Sequence, residues 1–117
     1  MTHEHDIRTV DTVLNRLEAQ VVENAILPPT TWIDAALALT ALLGNEHDLL
    51  YRAQQVLAQK KATIVAGGAT VAKANLLIQG SDEWVAMKNQ EAKIGRVEEM
   101  VRCAKIRARL ADSELRG

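Results

Sequence analysis

From Ile94 onward the apolar residues fall at positions 94, 97, 101, 104, 108 and 111, alternating three and four apart. That spacing sets Ile94, Val97, Val101, Ala104, Ala108 and Ala111 in one line on an α-helix, the seam along which it packs lengthwise against another helix. Upstream, Ser81-Asp82-Glu83 has the form of a helix start. A serine oxygen accepts from the free N–H groups of the first turn, and two acids sit at the positive end of the dipole. Arg107 and Arg109 put cations at the other end. Ser81 to Leu110 therefore reads as one long helix. Gly80 is placed to leave the preceding helix in a left-handed conformation. Gly95 lies one residue off the seam and weakens the helix by about 1 kcal/mol relative to Ala. Thirty residues of helix measure about 45 Å, beyond a compact domain of this size with its radius of gyration of about 13 Å. The expectation is an elongated chain, or one whose overhang other chains cover.

The remaining chain can be laid against that helix. Residues 1–9 are polar and expected to fray. Asp11 or Thr12 is placed to cap a first helix with Val13, Leu14, Leu17 and Val21 on one face, ending by Pro28-Pro29. Thr30 or Thr31 then caps a second, with Thr31-Trp32-Ile33-Asp34 in the form of a capping box. Between Trp32 and Leu43 only Asp34 and Thr40 are polar. A helix apolar on all sides is expected to be buried on all sides. Gly44 reads as its end. Asn45 restarts a third helix, Glu46 to about Ala66, with Leu49, Leu50, Ala53, Val56, Leu57 and Ile64 as its stripe. Gly67-Gly68 is the clearest break, and Thr70 caps a short helix running to Gly80. No strand pattern appears. The spacing predicts an all-α fold in one domain: two long antiparallel helices with shorter helices packed on them.

Composition adds a constraint on burial. Hydrophobic residues make up 48% of the 117, but there is no Phe, one Tyr and two Trp. Aromatics bury the most area per residue, so a solitary core would be thin and a homo-oligomer is expected. Packing against neighbours falls on Trp32, Leu39, Trp84, Ile94, Val97 and Val101. No run approaches the roughly twenty apolar residues of a membrane span, and no signal peptide is visible. The single Cys103 has no internal partner, and a reducing cytosolic setting is the default.

Charge is unevenly spread. Residues 1–59 hold eight acids and three bases, net −5, while residues 60–117 hold eleven bases and seven acids, net +4. Either the two halves attract each other, within a chain or between copies, or a basic face awaits a polyanion. Arg102, Lys105 and Arg109 lie at i, i+3 and i+7 on one face beside the seam; Lys60-Lys61 close the middle helix, and Lys88, Lys93 and Arg96 follow along the last one. Such a track suits single-stranded nucleic acid held without sequence readout. The plainer alternative for Arg102, Lys105, Arg107 and Arg109 is a solvated helix end that satisfies the dipole.

Catalytic chemistry finds little footing. Glu-His-Asp occurs at Glu4-His5-Asp6 and again at Glu46-His47-Asp48. Neighbouring helical side chains diverge by about 100°, so such runs do not converge on a metal as zinc ligands must. Cys103 has basic neighbours that can lower a thiol pKa, yet it also suits a small apolar helix position. Gly67-Gly68-Ala69-Thr70 lacks phosphate-loop spacing. No enzyme, cofactor, metal or small-molecule substrate is expected.

Three stretches carry a resemblance: Pro-Pro-Thr-Thr-Trp leading into the apolar helix, Ala-Gln-Lys-Lys at 58–61, and the closing Ser-Asp-Glu-Trp…Arg-Cys-Ala-Lys-Ile-Arg-Ala-Arg-Leu helix. With these, residues 30–116 resemble small helical proteins of tailed bacteriophages, and among them the UvsY-like recombination mediators. The resemblance implies an all-helical oligomer in the cytoplasm of an infected bacterium, binding single-stranded DNA or a recombinase partner. It also implies DNA contact by middle-helix bases, here Lys60 and Lys61; its basic cluster there is richer than this chain's. The reading from the residues adds Arg102, Lys105 and Arg109. The competing expectation is a structural, assembly or host-protein-binding component that binds no nucleic acid.

Overall fold

The computed structural model describes residues 10–23 and 26–116. It is all-α: α1 (Val10–Val22), α2 (Pro29–Ala66), α3 (Val71–Gln79) and α4 (Asp82–Arg116). The two long helices α2 and α4 pack against each other as an antiparallel hairpin, and α1 and α3 pack on them. The chain divides into two compact units, Met1–Gly44 with Gly95–Gly117, and Asn45–Ile94. The expected fraying of residues 1–9 lies outside the described residues.

The largest departure from expectation is at Gly44. The chain does not stop there; α2 runs through Gly44 and Asn45 without a break. The reason is visible in which residues turn inward. Trp32, Ala36, Leu39, Leu43, Glu46, Leu50, Ala53, Leu57, Lys60 and Ile64 alternate four and three apart, and none of the ten is exposed. A glycine inside a helix costs about 1 kcal/mol, less than breaking a seam this long would lose. The same seam overturns the expectation that Trp32 to Leu43 is buried all round. Trp32, Ala36 and Leu39 are buried, while Ile33 is 48% and Leu37 64% exposed.

Other helix ends also shift. Val10 already begins α1, so Asp11 and Thr12 lie in its first turn. Pro29 opens α2, where its missing N–H costs nothing, and the Thr31 N–H donates to the Pro28 carbonyl at 3.0 Å. Thr30 and Thr31 are therefore inside the first turn and do not cap it. Gly80 is not left-handed, with φ −88° and ψ 2°; the positive φ belongs to Gly68, at 105°. The α3–α4 corner is closed by Ser81. Its hydroxyl donates to the Ile78 carbonyl at 2.6 Å and accepts from the Trp84 N–H at 3.2 Å. Thr70 caps α3 by accepting from the Lys73 N–H. At its far end α4 continues past Leu110 to Arg116.

In the first unit, Val10, Leu14 and Leu17 of α1 meet Trp32, Ala36 and Leu39 of α2 and Val97, Met100, Ala104 and Ala108 of α4. In the second, Leu57, Ile78 and Met87 form a smaller core with Trp84 half-buried against it. Here the seam is polar at two places. Glu46, 3% exposed, meets the Lys93 ammonium at 2.7 Å, and Gln90 donates to the Glu46 carbonyl at 3.0 Å. Further along, Lys60 meets Glu83 at 2.8 Å.

Two substitutions test this account. A Cβ at Gly95 meets no atom within 4 Å, so Gly95→Ala is expected to stabilise the fold by roughly 0.4–1 kcal/mol. Chemical denaturation measures this, and a lowered midpoint would contradict it. Lys93→Met leaves the Glu46 carboxylate buried without its cation and is expected to cost roughly 3 kcal/mol. Combining it with Glu46→Leu should recover most of that loss; no recovery would show that the pair is not what holds this part of the seam.

Candidate binding face of helices α2 and α4

The cations that pattern alone gathers into one track are mostly committed to carboxylates. In the second unit Lys60 is bound to Glu83 and Lys93 to Glu46. Lys88 meets Glu91 at 3.2 Å and lies over the Trp84 ring at 4.9 Å. Lys61 is half-buried. In the first unit Arg96 meets Glu18 at 2.6 Å, and Arg102 meets Glu99 one turn before it. Arg107 stacks over Trp32, 5.6 Å from the ring centroid. Exposed ion pairs such as Arg102–Glu99 are weak and readily exchanged, so Arg102 remains usable by a ligand.

Of the five residues read as nucleic-acid contacts, Arg102, Lys105 and Arg109 share one face of α4 in the first unit, while Lys60 and Lys61 belong to the second. Lys105 and Arg109 are both exposed. They line a cleft of about 400 Å³ with Pro29, Ile33, Ala108 and Asp112. Lys105 is shared with a second hollow of about 330 Å³, lined also by Leu43, Glu98, Val101 and Arg102. The surface is thus an apolar floor between α2 and α4 with a net positive rim on α4, Lys105 and Arg109 against Asp112. Trp32, Leu39, Ile94 and Val97, read as packing residues, are buried within the chain itself; Trp84 and Val101 are half-buried.

Pattern reading missed the apolar part of this face. Ile33 and Leu37 belong to a stretch whose composition reads as buried all round. The available signal was their position: both lie outside the four-three seam that Trp32, Ala36 and Leu39 follow. It also missed Glu46 as a seam residue, because an acid after Gly44-Asn45 looks like a helix start.

Other chemistry does not assemble here. Among the described residues no group of three His, Cys, Asp or Glu side chains is placed to hold a metal. Glu46 turns inward while His47 and Asp48 are exposed; Glu4-His5-Asp6 lies outside the described residues. Cys103 is half-buried beside Arg102 and Arg107. Among the described residues no helix is long and apolar enough to cross a membrane.

The Lys60–Glu83 pair has a measurable electrostatic signature. The hydrogen bond from Lys60, aided by Glu83's own backbone N–H, holds this carboxyl below its ordinary value of 4.5. A depressed carboxylate stabilises the fold above the ordinary carboxylate range, and that contribution is lost as pH falls through the lowered value. Lys60→Met is expected to move the Glu83 titration upward, read by NMR of its side-chain carboxyl; an unmoved midpoint would remove Lys60 as the cause.

No family model, curated protein or solved structure matches this chain, and its function has to be read from its own side chains.

Proposed function

We propose that the protein is a non-catalytic helical interaction component that acts by seating its exposed apolar helix faces against other polypeptides. The observation that carries this is the flank of α2, where Ile33 and Leu37 stand 48% and 64% exposed next to an apolar cleft with a cationic rim. Large apolar side chains clustered on a surface and edged by charge mark protein-binding sites. Ile106 and Leu110 of α4, 48% and 60% exposed, extend the supply of such surface in the same unit.

A second reading is kept for one reason: Lys105 and Arg109 are exposed and form no ion pair with a described residue. On that reading the protein is a phage accessory factor similar to the UvsY-like mediators, at work in an infected bacterial cytoplasm, and these cations meet the phosphates of single-stranded DNA. The pairing of Lys60, Lys93 and Arg96 with carboxylates of other helices favours the first reading. Each such pair is charge already neutralised before a polyanion arrives.

Sedimentation equilibrium over a range of concentrations separates the two, alongside an oligonucleotide titration. Association of the chain is expected, with little oligonucleotide binding at low salt. Oligonucleotide affinity that falls steeply as salt rises would replace the first reading by the second.

A further inference from the structure

The geometry points to a second copy of this chain as the occupant of the α2 flank, docked parallel about a two-fold axis. Each Asp34 would then meet Lys105 and Arg109 of the other copy. This rests on the protein-binding reading above and specifies its partner and its face.

Ile33, Leu37, Thr40 and Gly44 follow one another at four-three-four spacing and are all exposed. This is a second seam on α2, distinct from the one that packs inside the unit, and four-three spacing is what a helix offers to another helix. At Gly44 a Cβ would meet nothing within 4 Å, so this turn is open to the close approach of a second backbone.

The chemistry changes in order across that flank. On one side stand Lys105 and Arg109 of α4, net positive together with Asp112, in the cleft that Ile33 helps to line. On the other stands Asp34, exposed and about 100° further round the helix from Ile33. Base, apolar stripe and acid thus lie side by side at the level of Ile33. A two-fold axis parallel to α2 lays stripe on stripe and brings opposite rims together, so one surface complements itself. An antiparallel pairing would instead set each rim beside its own kind. Charge therefore selects the parallel arrangement. It also gives the acidic first half and basic second half of the chain a use between copies.

The test is charge exchange on the full-length chain, read by sedimentation. Asp34→Lys, and separately Lys105→Glu with Arg109→Glu, should each weaken association about tenfold, since the charge pairs at both symmetry-related sites of the dimer turn repulsive. All three changes in one chain should restore it, as should mixing the two singly reversed proteins. These side chains are exposed, and helicity by circular dichroism confirms that each variant folds. Leu37→Cys on a Cys103→Ser chain should form a covalent dimer on mild oxidation, because a parallel axis brings equivalent residues together. Association indifferent to both reversals, with no cross-link, would overturn this face while leaving the interaction reading in place. A single-chain mass for the unaltered protein would overturn the proposal and leave the interaction reading only for a partner other than this chain. Loss of oligonucleotide binding on Lys105→Glu and Arg109→Glu with unchanged association would assign the cationic rim to nucleic acid and overturn the proposal.

Discussion

A carboxylate placed in the contact line between two helices leaves few ways to arrange them. Glu46 occupies such a place on α2, with Lys93 and Gln90 of α4 beside it. Sliding α4 by one turn would strand the acid in an apolar seam, and an unpaired buried charge costs several kcal/mol. Leu or Ile at the same place would accept several registers. The polar contact therefore reads as the register pin of the second unit, and Lys60 with Glu83 repeats the device nearer solvent. Once the register is set, Leu57 of α2 and Met87 of α4 share the core of this unit.

Much of this was legible because it is local. Gly67-Gly68, the Thr70 cap and the Ser81 start depend on neighbours within four residues, and each appears in the structure. The α4 seam was legible because its period is unbroken. Gly44 was misread because local propensity and long-range packing disagree there: a glycine followed by Asn and Glu looks like a stop. The seam that overrides it was hidden, since one of its members is a glutamate and another, Lys60, a lysine. Only the partner helix shows that these polar residues belong inside.

The candidate face was legible by half. Arg102, Lys105 and Arg109 share a face because i, i+3 and i+7 always do on a helix. Which cations are already spent is a tertiary question. Lys60 finds Glu83 across 23 residues and Arg96 finds Glu18 across 78, distances over which pattern carries no information. The charge asymmetry of the two halves is thus partly consumed inside the chain, and Lys105 and Arg109 are the exposed cations of this α4 face that stay outside such pairs.

The distribution of indoles has its own consequence. The two tryptophans fall one to each unit: Trp32 at 2% exposure in the first core, Trp84 half-buried in the second. Each half of the molecule therefore holds its own fluorophore in a different environment, one shielded beneath a guanidinium, the other half wet and under an ammonium. Emission colour alone distinguishes an opening of one half from an opening of the other.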